Sequence, residues 1–360
     1  MLLENRKEMK RKFVDIRKIA CYDNLYNDWL SCSHGDGKDR RRDIIKYGKD
    51  LQTNLLRLQK RLLSGTWKPD KGRTFTILTE GKWREIHTVG VDDRIVHQAI
   101  VREFNLQQKF INRTFGSIKG RGTLRANKQV RRDIRRSGYE YAIKMDVHKY
   151  YPSVLKSKLI ELLRLKYKGE KSLRLAESVI NSYNPDEERG ISIGALTSQN
   201  FGNFYLTPFD YFVLQDLKVR YYSRYVDDMI ILCRDKTQAS VWIPQLKKKA
   251  AEFGLTFGKI DLFPIDKRRI DFCGYAINKD SIRVRKGTIK RFSKKLNSLQ
   301  NRPRNPMYER NCVESYLGIL KYADSYRITN ILKQKYNEVF KRVNRYATRK
   351  GRNEIRTACA

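Results

Sequence analysis

The chain has 360 residues, with 77 Lys plus Arg against 39 Asp plus Glu, a surplus of +38, and 40% of its residues are hydrophobic. This excludes a disordered tail and a small disulfide-stapled scaffold, and a chain of this length folds into two or three packed units. So large a positive surplus, with 11% aromatic residues, points to a polyanion, because clustered cations displace counterions from phosphates and aromatic faces stack on unpaired bases.

Nucleic acid is the first reading of that charge and a membrane surface the second. A membrane-surface protein concentrates its cations on an amphipathic helix, whereas here they run through the whole chain. The six cysteines, Cys21, Cys32, Cys233, Cys273, Cys312 and Cys359, form no CxxC pair and no zinc-knuckle spacing, and read as reduced thiols. The N-terminal MLLENRKEMKRKF has no apolar leader, and aliphatic stretches such as residues 229 to 233 are far too short to cross a bilayer. A soluble cytoplasmic protein with no membrane partner is expected.

In chain order, residues 1 to 65 alternate basic and apolar positions as short helices do, with a turn-forming SCSHGDGK at residues 31 to 38. FTIL, the turn Glu80, Gly81, Lys82, and WREIHTVGV predict a β-hairpin, followed by a helix over 94 to 109. Residues 113 to 138 carry nine Lys or Arg against one acidic residue, Asp133. That run is either a solvated helix face or a phosphate contact.

An apolar strand is expected over 141 to 147, then helices over 154 to 183 broken at Lys168 and Gly169. Residues 197 to 217 read as a helix with Thr197 or Ser198 as N-cap, interrupted by Pro208. Two short strands, 219 to 226 and 229 to 233, meet at an acidic pair. A helix at 237 to 253, a strand pair near 256 to 277 and a helical C-terminal region complete the chain. Residues 281 to 360 hold 21 Lys plus Arg and five Asp plus Glu, +16 in under a quarter of the sequence. Strands and helices alternate without a steady βαβ period, so the fold class is α+β.

Two acidic positions stand at the ends of apolar strands: Asp146 in AIKMDVHKYYPS, and Asp227 with Asp228 in YSRYVDDMIILC. Adjacent carboxylates at a hairpin tip repel one another unless a divalent cation neutralises them, as phosphoryl transfer with two metals requires. An ordinary hairpin turn also favours Asp, so YVDD alone decides nothing.

In company it decides more. YVDD and KMDVHKYYPS resemble motifs C and A of the reverse transcriptases, and the remaining motifs of that family follow in order. GKWREIHTVGVDDRIVHQAI resembles the fingers motifs and TFGSIKGRGT the segment after them. IGALTSQNFGNFYL resembles motif B, FGLTFGKI and IDFCGYAI motifs D and E, and SYLGILKYADSYRI a thumb helix. The resemblance implies a right hand, with an N-terminal helical extension at 1–66, fingers at 67–138, a palm at 139–280 with a helical insertion near 154–190, and a basic helical thumb and tail at 281–360.

Motif B narrows the family. Many bacterial members carry Gly followed four residues later by Ser-Pro, whereas here Gly194 is followed by Ser198 and Gln199. This IGxxxSQ pattern is similar to that of diversity-generating retroelement reverse transcriptases, which implies copying of a template-repeat RNA into cDNA with errors at template adenines, for mutagenic retrohoming into a target gene. Retron, group II intron or phage-defence reverse transcriptases differ by few residues. A noncatalytic RNA-binding protein on a polymerase fold is the reading from another class, and the three intact aspartates argue against it.

The resemblance implies that Asp146 and Asp227 ligate two Mg²⁺ ions, Mn²⁺ being the substitute, with the Val147 carbonyl as a further ligand and Asp228 as support. Tyr151 matches an aromatic gate against the sugar 2′-OH, although a core aromatic before Pro152 is the plain alternative and Tyr150 is its neighbour. Arg84 matches a triphosphate-gripping arginine, and Lys82 is a weaker match. Gly194 would allow a close approach to the backbone. Ile193 stands where retroviral enzymes have a nucleotide-contacting Gln, so Ile193 and Gln199 are expected to loosen base selection. Lys259 falls in motif D as either the lysine that protonates pyrophosphate or a solvent-facing one. The expected partners are template RNA, a primer strand, dNTPs and a small basic accessory variability protein.

Overall fold

The computed structural model describes residues 11–35, 37–79 and 82–346. Its strands are β1 (Lys12–Phe13), β2 (Arg73–Thr79), β3 (Lys82–Thr88), β4 (Tyr141–Asp146), β5 (Tyr167–Lys168), β6 (Tyr222–Tyr225), β7 (Asp228–Cys233), β8 (Asp261–Pro264), β9 (Ile270–Phe272), β10 (Tyr275–Ile277) and β11 (Ile282–Val284). They and the helices between them form two compact units that interleave along the chain. One contains the described residues up to Lys119, Met145–Arg220 and Ser240–Lys259, and the other contains Gly120–Lys144, Tyr221–Ala239 and the described residues from Ile260 onward.

In the first unit, helices Ile16–Ile19, Tyr22–Ser33, Arg42–Lys49 and Leu51–Ser64 pack with helix Val91–Phe104 through Ile19, Leu25, Leu55, Leu58, Ile95 and Ile100, each 0 or 1% exposed. Burying each such side chain stabilises the fold by about 1.5–3 kcal/mol. β1 lies parallel to β5, with Lys12 opposite Tyr167. Gly169, at φ +116, lets the chain turn directly beneath β1, where a Cβ would stand 2.2 Å from the Val14 carbonyl oxygen. β2 and β3 form the expected antiparallel hairpin, Thr79 opposite Lys82, while the connecting Glu80 and Gly81 lie outside the described residues.

Helix Leu196–Tyr205 is the most enclosed of this unit, with Phe201, Phe204 and Tyr205 buried and the Asn203 side-chain amide donating to the Gly116 carbonyl. Its N-cap is Ala195 rather than Thr197 or Ser198, and makes no side-chain cap. Those two hydroxyl residues fall inside the first turn and are buried, Ser198 Oγ lying 3.5 Å from Ser192 Oγ. Pro208 sits in the first turn of the next helix, Thr207–Tyr211, where its missing N–H costs nothing.

The second unit holds a four-stranded sheet in the order β6-β7-β4-β8, with β6–β7 and β4–β8 antiparallel, and a three-stranded sheet in the order β11-β10-β9. The apolar MIILC of β7 is buried at all five positions, as a strand covered on both faces must be. Helix Thr123–Ser137, the centre of the cationic run, packs on β6, and the Tyr221 hydroxyl donates to its Arg136 carbonyl at 3.3 Å. Helices Lys286–Asn301, Pro306–Lys321 and Tyr326–Lys335 form the C-terminal part, and Phe292 stacks on Tyr316 at 4.6 Å between centroids. Among the described residues no helix is long and apolar enough to cross a membrane.

Candidate active site

The acidic hairpin belongs to the second unit. Tyr225 pairs with Asp228, so the connecting loop is only Val226 and Asp227. Asp228 is therefore the first residue of β7 rather than part of the turn. Val226 has φ +57, a left-handed conformation that its branched side chain resists. Beneath it lies Arg224, 0% exposed, whose Nη1 donates to the Val226 carbonyl at 2.8 Å. The buried guanidinium thus helps hold the strained residue just before Asp227.

The Asp228 side chain is 24% exposed, but its Oδ1 is buried and accepts no hydrogen bond. Lys144 Nζ lies 3.9 Å from that oxygen. Burial pushes the Asp228 carboxyl up to about 7, Lys144 opposing the shift and the charge of Asp227 adding to it. A carboxylate oxygen left without a donor at such a cost is a hard ligand suited to Mg²⁺, and Asp227 is a second carboxylate beside it. Among the described residues no cluster of three or more His, Cys, Asp or Glu side chains that could hold a metal is assembled.

Asp146 ends β4 within the first unit, exposed. Its carbonyl accepts the Gly258 N–H at 2.9 Å, Val147 forms a bridge with Phe257, and His148 N–H donates to the Thr256 carbonyl. A Cβ on Gly258 would stand 3.3 Å from Asp146 Oδ2, so glycine leaves that carboxylate room. Lys259 follows it, exposed. The Val147 side chain is buried in the core.

The two tyrosines after Asp146 separate clearly. Tyr150 is buried with its hydroxyl donating to the Gly202 carbonyl, whereas Tyr151 is half-buried beside Gly202 and its carbonyl accepts the Ile191 N–H at 3.1 Å. On β3, Arg84 is exposed opposite Ile77; the Lys82 side chain lies outside what the structure describes. The Ile193 carbonyl accepts the His87 N–H at 3.0 Å, joining this loop to β3. Gly194, at φ +111, has Ile86 and His87 as its close neighbours, both 3.2 Å from where a Cβ would stand. Gln199 and Gly194 line a cavity of about 510 Å³ with Lys38, Arg41, His87 and Arg94.

Sequence reasoning missed Lys144 and Arg224. Strand alternation could have drawn attention to Lys144, two residues before Asp146 in β4. His97, 4% exposed, carries a ring pKa pulled down to about 4 by burial, with His87 adding. Its folded value lies below the ordinary 6.5, so its contribution to stability is present above pH 6.5 and is lost as pH falls toward 4, about 3 kcal/mol in all. Urea unfolding at pH 7 and pH 4.5 is expected to show most of that loss in the wild type and to show it removed in His97→Gln. An equal loss in both would place the acid sensitivity elsewhere.

With this geometry in view, the comparison with known families is direct: residues 68–277 match the model of the family described as reverse transcriptase (RNA-dependent DNA polymerase). The chain belongs to that family and is an RNA-directed DNA polymerase. The family implies a polymerase fold of palm, fingers and thumb, substrates that are an RNA template, a primer and dNTPs, and divalent ions such as Mg²⁺. No curated protein matches the sequence.

Proposed function

We propose that this polymerase copies a template-repeat RNA into cDNA with low fidelity at adenines, for diversification of a target gene by mutagenic retrohoming. The observation that carries this reading is IGALTSQ, with apolar Ile193 and with Gln199 after Ser198. An aliphatic side chain offers no hydrogen bond to a nucleotide, and a site without such bonds rejects mismatched partners less strongly.

In this reading residues 67–138 serve as fingers, 139–280 as palm and 281–360 as thumb and tail. Asp146 and Asp227 hold two Mg²⁺ ions with the Val147 carbonyl, and Asp228 supports them. The bound ions supply activation of the primer hydroxyl and neutralisation of the leaving pyrophosphate. Arg84, with Lys82, orients the triphosphate through planar donors on an exposed hairpin. Tyr151, the accessible one of the two tyrosines, excludes a 2′-OH, and Lys259 stands ready to give a proton to pyrophosphate. Gly194 keeps the loop close to β3, which sets where Ile193 and Gln199 lie. A small basic accessory protein completes the complex, and the +38 of this chain requires RNA or local acidic patches to mediate contact between two positive bodies.

Base-by-base sequencing of cDNA made on an RNA template tests this. Wild type is expected to gather substitutions at template adenines, and Ile193→Gln to lower that rate severalfold while leaving extension in place. Faithful copying by the wild type with its cognate RNA and accessory protein present would move the enzyme to the retron or intron types. An unchanged adenine error rate in Ile193→Gln would remove that residue from the account.

A further inference from the structure

A lysine is seldom buried unless its charge is paired. Lys144 stands on β4 with its side chain 21% exposed. Its Nζ donates to the Asp271 carbonyl of β9 at 2.6 Å, and the same nitrogen lies 3.9 Å from Asp228 Oδ1. The second distance is too long for a hydrogen bond but short for two unit charges away from bulk water. Asp271 is itself tied down, since Arg285 Nε donates to its Oδ1 at 2.5 Å. The ammonium is thus moored on one side by a neighbouring strand and held near Asp228 Oδ1 without occupying its lone pairs.

We propose that Lys144 is a positioning residue, the resident counter-ion of Asp228, which balances this half-buried carboxylate in the metal-free protein and is repelled by the divalent cation that the carboxylate helps to hold. This rests on the polymerase reading of the acidic hairpin. The sign of its effect follows from charge alone. Without the ammonium, the metal-free protein keeps a half-buried carboxylate with less compensation and is less stable, while an arriving cation meets less repulsion and binds more tightly.

The test uses the full chain and four variants, Lys144→Met, Lys144→Arg, Asp228→Asn and the Lys144→Met, Asp228→Asn double variant. Thermal unfolding is followed without metal, and Mn²⁺ binding by electron paramagnetic resonance. Lys144→Met is expected to bind Mn²⁺ on the order of tenfold more tightly, and Lys144→Arg to bind it as the wild type does. Lys144→Met is also expected to lower the metal-free midpoint by about 2–4 °C, and to lower it by less than half as much when Asp228 is already Asn. If Lys144 acts only through the Asp271 carbonyl, the midpoint falls equally in both backgrounds and the Mn²⁺ affinity does not change. Either of those results overturns the proposal. A wild type that binds no Mn²⁺ and extends no primer overturns the polymerase reading and the proposal with it, a failure distinguished by the wild-type titration alone.

Discussion

Asp227→Asn is expected to reduce primer extension on an RNA template by about 10³-fold while leaving the fold and RNA binding intact. Asp227 is the second of the two loop residues between Tyr225 and Asp228, and an amide of nearly the same shape keeps its volume. What disappears is the negative charge that holds a divalent cation. A 10³-fold loss corresponds to about 4 kcal/mol of transition-state stabilisation, the size that removal of one preorganised electrostatic contact reaches. Neutralising Asp227 also removes one of the causes that push the Asp228 carboxyl upward. RNA binding is expected to persist because it draws on 77 Lys and Arg spread along the chain. Extension within tenfold of wild type would take Asp227 out of the catalytic machinery.

Arg224→Met is expected to lower stability by about 3 kcal/mol and to lower extension further than that loss explains. Arg224 is fully buried, the largest such side chain among the described residues, and donates to the Val226 carbonyl at 2.8 Å. Losing a hydrogen bond from a charged donor to a buried carbonyl costs about 1.5–3 kcal/mol, and the volume Met fails to fill adds to it. The released Val226, at φ +57, then has reason to leave a conformation that costs of order 1–3 kcal/mol, and Asp227 moves with it. Urea unfolding gives the first quantity. Extension at a temperature where the variant remains folded gives the second, and activity that merely tracks the folded fraction would show that the strained loop has no part in placing Asp227.

Much of this was legible in the sequence because it depends on local period and motif order. The alternation in FTIL and WREIHTVGV gives the β2–β3 hairpin, the unbroken MIILC gives a short strand, and Pro208 marks the break between two helices. The acidic residues were equally visible, since carboxylates at the ends of apolar strands are costly without a reason. Contacts between distant segments were not visible. That Tyr150 rather than Tyr151 is buried depends on Gly202, 52 residues away, and the mooring of Lys144 depends on Asp271, 127 residues away. Ala195 displaces Thr197 and Ser198 as N-cap because those hydroxyls lie inside the first helical turn, which local preference cannot register. The interleaving of the two units has the same origin, since each gathers segments that are far apart in the chain.

The most direct test of the central claim is extension of a labelled DNA primer on an RNA template by the wild-type chain, with dNTPs, in Mg²⁺ and in excess EDTA, beside Asp227→Asn. The account predicts cDNA that grows with Mg²⁺, vanishes in EDTA and is nearly absent in the variant. Undiminished cDNA from Asp227→Asn, or none from the wild type with cognate RNA and accessory protein supplied, would contradict it.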